Sequence, residues 1–162
     1  MKSQLIKKVL KHLHEELNIL LVAANNAHLA AIDEQSIAET QYDTLAIEAG
    51  YLAEGQSKRV EELKQAITSF EHLLEMLKQT PDRHQHIKLG SIVQLSNDET
   101  VKHYLFIAPA AAGFRCSFEE RNFTVITPQS PMGKALINKL LNDEVSINLG
   151  SSQFNDEVTY IA

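Results

Sequence analysis

Residues 6–31 read IKKVLKHLHEELNILLVAANNAHLAA, and their apolar side chains recur at alternating spacings of four and three. This spacing is typical of a coiled-coil helix, because it returns apolar side chains to one face of the helix. Residues 42–77 carry a second series with the same spacing, in which only Gln56 is polar. We therefore predict two long helices that pair along these apolar stripes.

The sizes of the stripe residues predict the direction of pairing. The first stripe changes from large to small residues along the chain: Ile6, Leu10, Leu13, Leu17, Leu20, Ala24, Ala27 and Ala31. The second changes from small to large: Tyr42, Ala46, Ala49, Ala53, Gln56, Val60, Leu63, Ile67, Phe70, Leu74 and Leu77. An antiparallel hairpin matches large residues with large ones and alanine with alanine. Ser36 and Glu39 have the form of a capping box, which predicts that the second helix begins near Ile37.

The pattern changes at Pro81, which ends the second helix because proline lacks a backbone donor and disfavours helix in the residue before it. Six β-rich runs follow: Ile87 to Leu95, His103 to Ala108, Gly113 to Phe118, Phe123 to Ile126, Glu144 to Asn148 and Glu157 to Ile161. One helix is predicted from Pro131 to Leu141, with Ser130 as its N-cap. The predicted fold class is α+β, with an antiparallel coiled-coil hairpin over residues 1–80 and a β-rich domain over residues 84–162.

Charge and motifs exclude several classes of function. A formal net charge of −6 weighs against general duplex binding, which depends on Lys and Arg at phosphates. The seven histidines and the single cysteine, Cys116, do not have the spacing of a zinc site, and no phosphate loop or nucleophile motif is present. The chain shows no signal segment and no membrane span. We expect a cytoplasmic protein that is not an independent enzyme.

Residues 126–147 read ITPQSPMGKALINKLLNDEVSI, which resembles the C-terminal signature of the bacterial Gre transcript-cleavage factors. The shared features are a Ser-Pro helix start, a helix containing Ala and Leu, an acidic turn and a valine-bearing strand. Residues 13–20, LHEELNIL, are similar to the opening of the family's first helix. Residues 38–42, AETQY, and residues 50–55, GYLAEG, are similar to the start of its second helix. The resemblance covers nearly the whole chain.

The resemblance implies a fold, a partner and a docking surface. It implies that the β-rich domain is FKBP-like in fold but acts as a docking module and has no isomerase activity. The implied partner is RNA polymerase, whose secondary-channel rim this domain holds through Ser130, Pro131, Met132 and Gly133. The hairpin then reaches the active centre, so the 3′ end of the nascent RNA is contacted only indirectly. A monomer without membrane contact is expected.

The resemblance also implies a role for acidic residues at the hairpin tip. The candidates are Asp33, Glu34 and Glu39, with Asp43 less favoured because it lies inside the predicted second helix. Asp33 and Glu39 would help to hold Mg²⁺, which prefers hard oxygen ligands and keeps several waters. This ion is shared with the polymerase active centre and is not bound stably by the factor alone. The protein would be an accessory to the polymerase's own cleavage of backtracked RNA.

The tip sequence keeps two alternatives open. The family's usual tip reads Asp-Leu-x-Glu-Asn-Ala-Glu-Tyr, whereas residues 33–42 read DEQSIAETQY, and alignment on Tyr42 brings neither catalytic acid into register. The arm is also a few residues shorter than usual. One alternative is therefore a channel-binding regulator that inhibits polymerase without supporting cleavage. The other is an adaptor that bridges proteins unrelated to transcription.

Basic residues cluster near the end of the hairpin that is opposite its tip. In the simplest interpretation they form a solvated face. In the other interpretation they contact RNA or an acidic polymerase surface. They are Lys2, Lys7, Lys8 and Lys11 on the first helix and Lys58, Arg59 and Lys64 on the second.

Overall fold

Two long helices form the N-terminal half of the protein. The computed structural model describes the backbone of residues 1–34, 44–79, 86–149 and 152–162, and within these ranges it leaves out the side chains of residues 27–34, 44–54, 148–149 and 152–153. Helix α1 spans Lys2–Glu34 and helix α2 spans Thr44–Gln79, which are 33 and 36 residues. At 1.5 Å per residue they are about 50 and 54 Å long. The predicted start near Ile37 lies outside the described residues.

The later part of α1 and the earlier part of α2 belong to one compact unit, Lys11–Ile67. Leu13 on α1 and Leu63 and Ile67 on α2 are buried there, as the apolar stripes predict. Arg59 on α2 donates a hydrogen bond of 2.7 Å to Glu16 Oε1 on α1. The start of α1, Met1–Leu10, and the end of α2, from Thr68 onward, fall in the same compact unit. The helices are therefore antiparallel, and the predicted hairpin is confirmed.

The start of α1 and the end of α2 belong to a second compact unit, which consists of Met1–Leu10 and Thr68–Ala162. Its fully or nearly fully buried helical residues are Leu5, Ile6, Val9, Phe70 and Leu73. The stripes include Ile6 and Phe70 but not the other three. A Cβ built on Gly90 would lie 3.3 Å from Leu73 Cδ1, so this leucine packs against the segment that leads into the sheet. The helix ends are therefore buried on more than one face. The predicted domain boundary, at residues 80–84, lies outside the described residues and stays a prediction.

The second unit contains a six-stranded sheet and one short helix. The strands are β1 (Ile92–Leu95), β2 (His103–Ile107), β3 (Arg115–Phe118), β4 (Arg121–Ile126), β5 (Glu144–Leu149) and β6 (Ser152–Ile161). Their order in the sheet is β3-β4-β2-β1-β6-β5. Strands β2 and β4 are parallel, and the other neighbouring pairs are antiparallel. All six predicted strands are present, but β1 begins at Ile92 instead of Ile87 and β6 begins at Ser152 instead of Glu157. Together with the hairpin they confirm the α+β class.

Helix α3, Pro131–Leu136, covers one face of the sheet. Its Leu136 is fully buried in a cluster with side chains from five strands and from the segment before β1: Ile87, Val93, Leu95, Leu105, Ile107, Ile126, Val145, Ile147 and Val158. Met132 and Ala135 pack against the same cluster. This cluster positions the start of α3, where the sequence resemblance is concentrated.

Helix α3 is shorter than predicted, and the prediction for residues 137–141 is wrong. Ile137 leaves the helical region with φ −54° and ψ 135°, and Asn138 has a positive φ of 67°. The segment instead pairs with Ile87, whose N–H donates to Lys139 O at 2.8 Å and whose carbonyl accepts from the Asn138 N–H at 2.9 Å. Those tertiary hydrogen bonds replace the last helical turn that the sequence pattern favours.

Strand β6 changes partner halfway along its length. Its first half pairs with β5 as far as Glu157, and its second half pairs with β1 from Val158 onward. Asp156 lies at this change of partner and is 8% exposed. Its Oδ1 accepts hydrogen bonds from Ser96 Oγ at 2.7 Å and from the Asn97 N–H at 3.3 Å. A buried carboxylate thus ties the 3-10 helix Ser96–Asp98, which follows β1, to β6.

Phe70 is fully buried in the unit that contains the sheet. Removal of its ring should therefore lower the stability of the fold. Phe70→Ala should lower the free energy of unfolding by about 3–5 kcal/mol, through lost apolar burial and the cavity left behind. Met76→Ala is the matched control on the same helix, because Met76 is 47% exposed, and it should cost about 1 kcal/mol or less. Urea unfolding followed by circular dichroism measures both. Equal losses would contradict the packing.

The environment of Asp156 predicts a dependence of stability on pH. Burial raises the pKa of Asp156, but hydrogen bonds from Ser96, Glu157 N–H and Asn97 outweigh it and hold the pKa below its usual value. A carboxyl whose folded pKa is lowered stabilises the fold above its unfolded pKa, and this contribution is lost as the pH falls through the folded pKa.

Asp156→Asn should therefore lower the free energy of unfolding at neutral pH by about 1–3 kcal/mol and should weaken its dependence on acid pH. Glu157→Gln, at the exposed neighbouring position, is the control. Unfolding measured at neutral and acid pH tests this, and parallel pH profiles for Asp156→Asn and the unaltered protein would show that the role is wrongly assigned.

Candidate functional site

The start of α3 is built around the Ser130 side chain. Ser130 has an extended backbone, with φ −64° and ψ 156°, as an N-cap residue requires. Its Oγ accepts a hydrogen bond of 3.0 Å from the Gly133 N–H and donates one of 2.7 Å to Thr127 O. Pro131 occupies the first helical turn, where its missing N–H costs nothing. The predicted cap is confirmed.

Gly133 is required by a close approach of two backbone segments. A Cβ at this position would lie 1.9 Å from Thr127 O and 3.0 Å from Pro128 Cα, which no side chain can accommodate without movement of the backbone. Thr127 is the residue that sequence reasoning missed. Its carbonyl meets both the Ser130 hydroxyl and the Cα of Gly133. The signal in the sequence was a glycine in the first turn of a helix, which propensity alone disfavours.

The four predicted docking residues differ in exposure. Pro131 is exposed, Ser130 and Met132 are partly buried, and Gly133 is buried. Met132 packs against the apolar cluster beneath α3. Pro131 is thus the member of the set whose side chain is most open to a partner, while Ser130 and Gly133 hold the turn that presents it.

The predicted tip acids lie at the edge of the described residues or outside them. Asp33 and Glu34 lie in the last turn of α1, where the side chains are outside the described residues, and Glu39 and Asp43 lie outside them altogether. Within the described part of the chain, no three His, Cys, Asp or Glu residues are grouped to hold a metal ion. The assignment of Asp33 and Glu39 to Mg²⁺ stays a prediction.

Among the basic residues near the base, Lys8 and Arg59 each link separate segments of the protein. Lys8 Nζ donates to Ser117 O at 2.9 Å and lies 5.5 Å from the centre of the Phe118 ring, so it covers the edge strand β3. The same lysine lowers the pKa of Cys116, but burial raises it more, and the net pKa of this thiol is raised. A protonated thiol is a poor nucleophile.

On the hairpin, Arg59 bridges the two helices. Its hydrogen bond to Glu16 is the main cause of a raised pKa, and Glu62 contributes at 3.5 Å. Because the guanidinium is about half exposed, the pair should contribute no more than about 1 kcal/mol. The hydrogen bond shows that Arg59 of α2 and Glu16 of α1 face each other.

Three solved structures are similar to this chain over most of its length. The crystal structure of Thermus aquaticus Gfh1 is 20% identical, with coverage of 93% of this chain and 92% of that chain and a TM-score of 0.35. GreA factor homolog 1 (Gfh1) of Thermus thermophilus is 20% identical, with 94% of each chain covered and a TM-score of 0.36. A structure of the transcription factor Gfh1 is 19% identical, with 94% and 92% covered and a TM-score of 0.38.

No protein-family model matches the chain, and no curated protein matches it. No helix in the described part of the chain is long and apolar enough to cross a membrane.

The turn geometry predicts that Gly133→Ala is strongly destabilising, because its Cβ would overlap Thr127 O. The loss should be about 1–3 kcal/mol or more, as for other overpacked or strained sites. Gly55→Ala is the matched control, since nothing lies within 4 Å of a Cβ at this exposed position of α2. It should raise the free energy of unfolding by about 0.5–1 kcal/mol. Thermal unfolding of both variants measures the difference, and changes of the same sign would contradict the assigned geometry.

Proposed function

We propose that the protein is a bacterial transcription elongation factor that binds RNA polymerase through its secondary channel and stimulates cleavage of backtracked RNA. The observation that carries the proposal is the turn at Ser130–Gly133. The signature by which the sequence resembles the Gre factors folds into a capped helix start in which two of its residues have defined structural roles. That turn sits on a β-rich unit joined to a two-helix hairpin, the arrangement that the resemblance implies.

The two helices give further support to the proposal. The helices continue for most of their length in a compact unit of their own, Lys11–Ile67, beyond the residues that pack with the sheet. Aliphatic residues on the described part of α1 are exposed, with Ile19 at 68% and Val22 at 53%. Exposed apolar side chains on a helix are suited to contact with a larger protein.

The proposed division of labour follows from these two parts. The turn at the start of α3 docks on the polymerase through Pro131, which is exposed on a rigid support. The hairpin carries Asp33 and Glu39 toward the active centre. Those carboxylates are hard oxygen ligands of the kind Mg²⁺ prefers. When bound, the ion supplies electrostatic stabilisation of the attacking and leaving oxygens in RNA cleavage. The factor's own residues orient that ion and its water.

A second candidate function is inhibition of the polymerase from the same position. The shift of the tip acids relative to Tyr42 favours it, since carboxylates out of register would occupy the channel without completing the metal site. Both functions need the same docking and the same arm. They differ only in what the tip does at the active centre.

The double substitution Asp33→Asn with Glu39→Gln tests the cleavage role. It removes charge and keeps shape, so the rate of RNA cleavage in stalled, backtracked complexes should fall by a factor on the order of 100. Affinity for polymerase should remain. Glu61→Gln with Glu71→Gln is the matched control, because both glutamates are exposed on the described part of α2.

The outcomes of this assay separate the two functions. Strong cleavage by the double variant would mean that the acids are wrongly assigned. No stimulation by the unaltered protein, together with slower nucleotide addition, would replace the cleavage role by the inhibitory one. Partial recovery of the variant at higher Mg²⁺ concentration would identify metal occupancy as the defect.

Pro131→Glu tests the docking role. Glutamate at the first turn of a helix is favourable for the helix dipole, so the fold should be as stable as before. A charge placed in a protein interface should weaken polymerase binding by roughly tenfold or more. Thr100→Glu adds the same charge at another exposed turn and is the control. Fluorescence anisotropy with labelled full-length protein measures the affinity of each variant for polymerase. Equal affinities for the two variants would exclude Pro131 from the interface.

A further inference from the structure

A cavity with polar and apolar lining lies at the β3 edge of the sheet. Its volume is about 440 Å³, and it is lined by residues of β2, β3 and β4: His103, Arg115, Cys116, Ser117, Asn122, Phe123 and Thr124. Arg115 is directly opposite Thr124, and His103 is directly opposite Asn122. Opposed residues share a face of the sheet, as do residues two apart on one strand. Polar side chains of three strands therefore converge on one face.

A chain of hydrogen bonds ends in this cavity. His103 Nδ1 lies 3.1 Å from Asp98 Oδ2, and His103 Nε2 lies 2.8 Å from Thr124 Oγ1. The carboxylate of Asp98 accepts only, so Nδ1 carries a proton. In the neutral ring Nε2 then accepts, and the Thr124 hydroxyl must donate its proton to it. In the protonated ring Nε2 donates, and the Thr124 proton becomes available to the cavity. Protonation of His103 thus turns the exposed side of Thr124 from acceptor to donor.

The other polar groups do not offer a donor in the same way. Ser117 Oγ donates to Asn122 Oδ1 at 2.8 Å, and Asn122 Nδ2 donates to Val101 O at 3.3 Å. Arg115 is exposed and has no ion-pair partner among the residues that the structure describes. The donors left to the cavity are the Arg115 guanidinium, which forms paired hydrogen bonds with oxyanions, the second N–H of the Asn122 amide and the switchable Thr124 hydroxyl.

We propose that this cavity binds a phosphate-bearing small molecule, with Arg115 and Thr124 as donors to the phosphate and with His103 protonated in the bound state. The volume is within the range of small-molecule sites and larger than a phosphate group needs, so it leaves room for an organic part. Near this chain of hydrogen bonds, Asp98 Oδ2 lies 3.1 Å from His103 Nδ1, and Lys102 Nζ lies 3.4 Å from Glu120 Oε2. A bound dianion offsets the repulsion between the protonated ring and the guanidinium.

Titration of the full-length protein with inorganic phosphate, followed by amide chemical shifts, tests the proposal. Saturable shifts should centre on residues 103, 115 and 124. Arg115→Gln and Thr124→Val should each weaken binding by roughly tenfold or more. Ser117→Ala is the matched control in the same cavity, because the proton of Ser117 is already donated within the protein, and it should bind as the unaltered protein does. Thermal unfolding shows whether each variant is folded, and Arg115→Gln, at an exposed position, keeps the test open if Thr124→Val is not.

Sulfate tests the hydrogen-bond chain with a second oxyanion. His103→Gln removes the ring that bonds to Thr124 Oγ1, so it should weaken sulfate binding at constant pH. The absence of saturable binding would overturn the site. Equal weakening by Arg115→Gln and Ser117→Ala, or no effect of either, would also overturn it. A preference for acetate over phosphate would overturn the ligand class.

Discussion

The burial of the helix ends against the sheet is the constraint on which the rest of the structure depends. Leu5, Ile6 and Val9 from α1 and Phe70 and Leu73 from α2 are all buried within the unit that contains the sheet. Because the first turns of α1 and the last turns of α2 are buried in the same unit, the helices must run antiparallel. Farther along, the Arg59–Glu16 bond agrees with this pairing. Apolar burial supplies most of the stability, and the half-exposed ion pair adds little.

A second constraint acts where α3 covers the sheet. Helix α3 is only six residues long, too short to be stable by itself. It is held by the Ser130 cap, by the contact of Gly133 with Thr127 and by Leu136 in the apolar cluster. These contacts place Pro131 at the surface with little freedom. The residues that the sequence points to for docking are thus mostly residues that build the turn, and the exposed proline is what the turn presents.

The sequence predicted the regular parts of the fold and missed what tertiary contacts decide. The four-and-three spacing located both helices, and alternation with turn residues located all six strands. Leu5, Val9 and Leu73 were missed because the stripes describe only helix-to-helix contact, while these residues face a further neighbour. The early end of α3 was missed because Asn138 and Lys139 hydrogen bond to Ile87, which is distant in sequence. In the candidate site, Ser130 and Pro131 were predictable from capping preferences. The role of Thr127 was not, since it depends on a backbone approach that only the folded chain shows.

The central claim is that the hairpin carries its tip to the polymerase active centre while the start of α3 holds the polymerase surface. Site-specific photo-crosslinking measures this most directly, with a photoreactive amino acid at position 34 in one sample and at position 131 in another, each bound to an elongation complex. The account predicts that position 34 crosslinks to polymerase residues beside the catalytic metal and that position 131 crosslinks to the outer rim of the channel. Crosslinks from both positions to the outer surface alone, or from neither to polymerase, would contradict it.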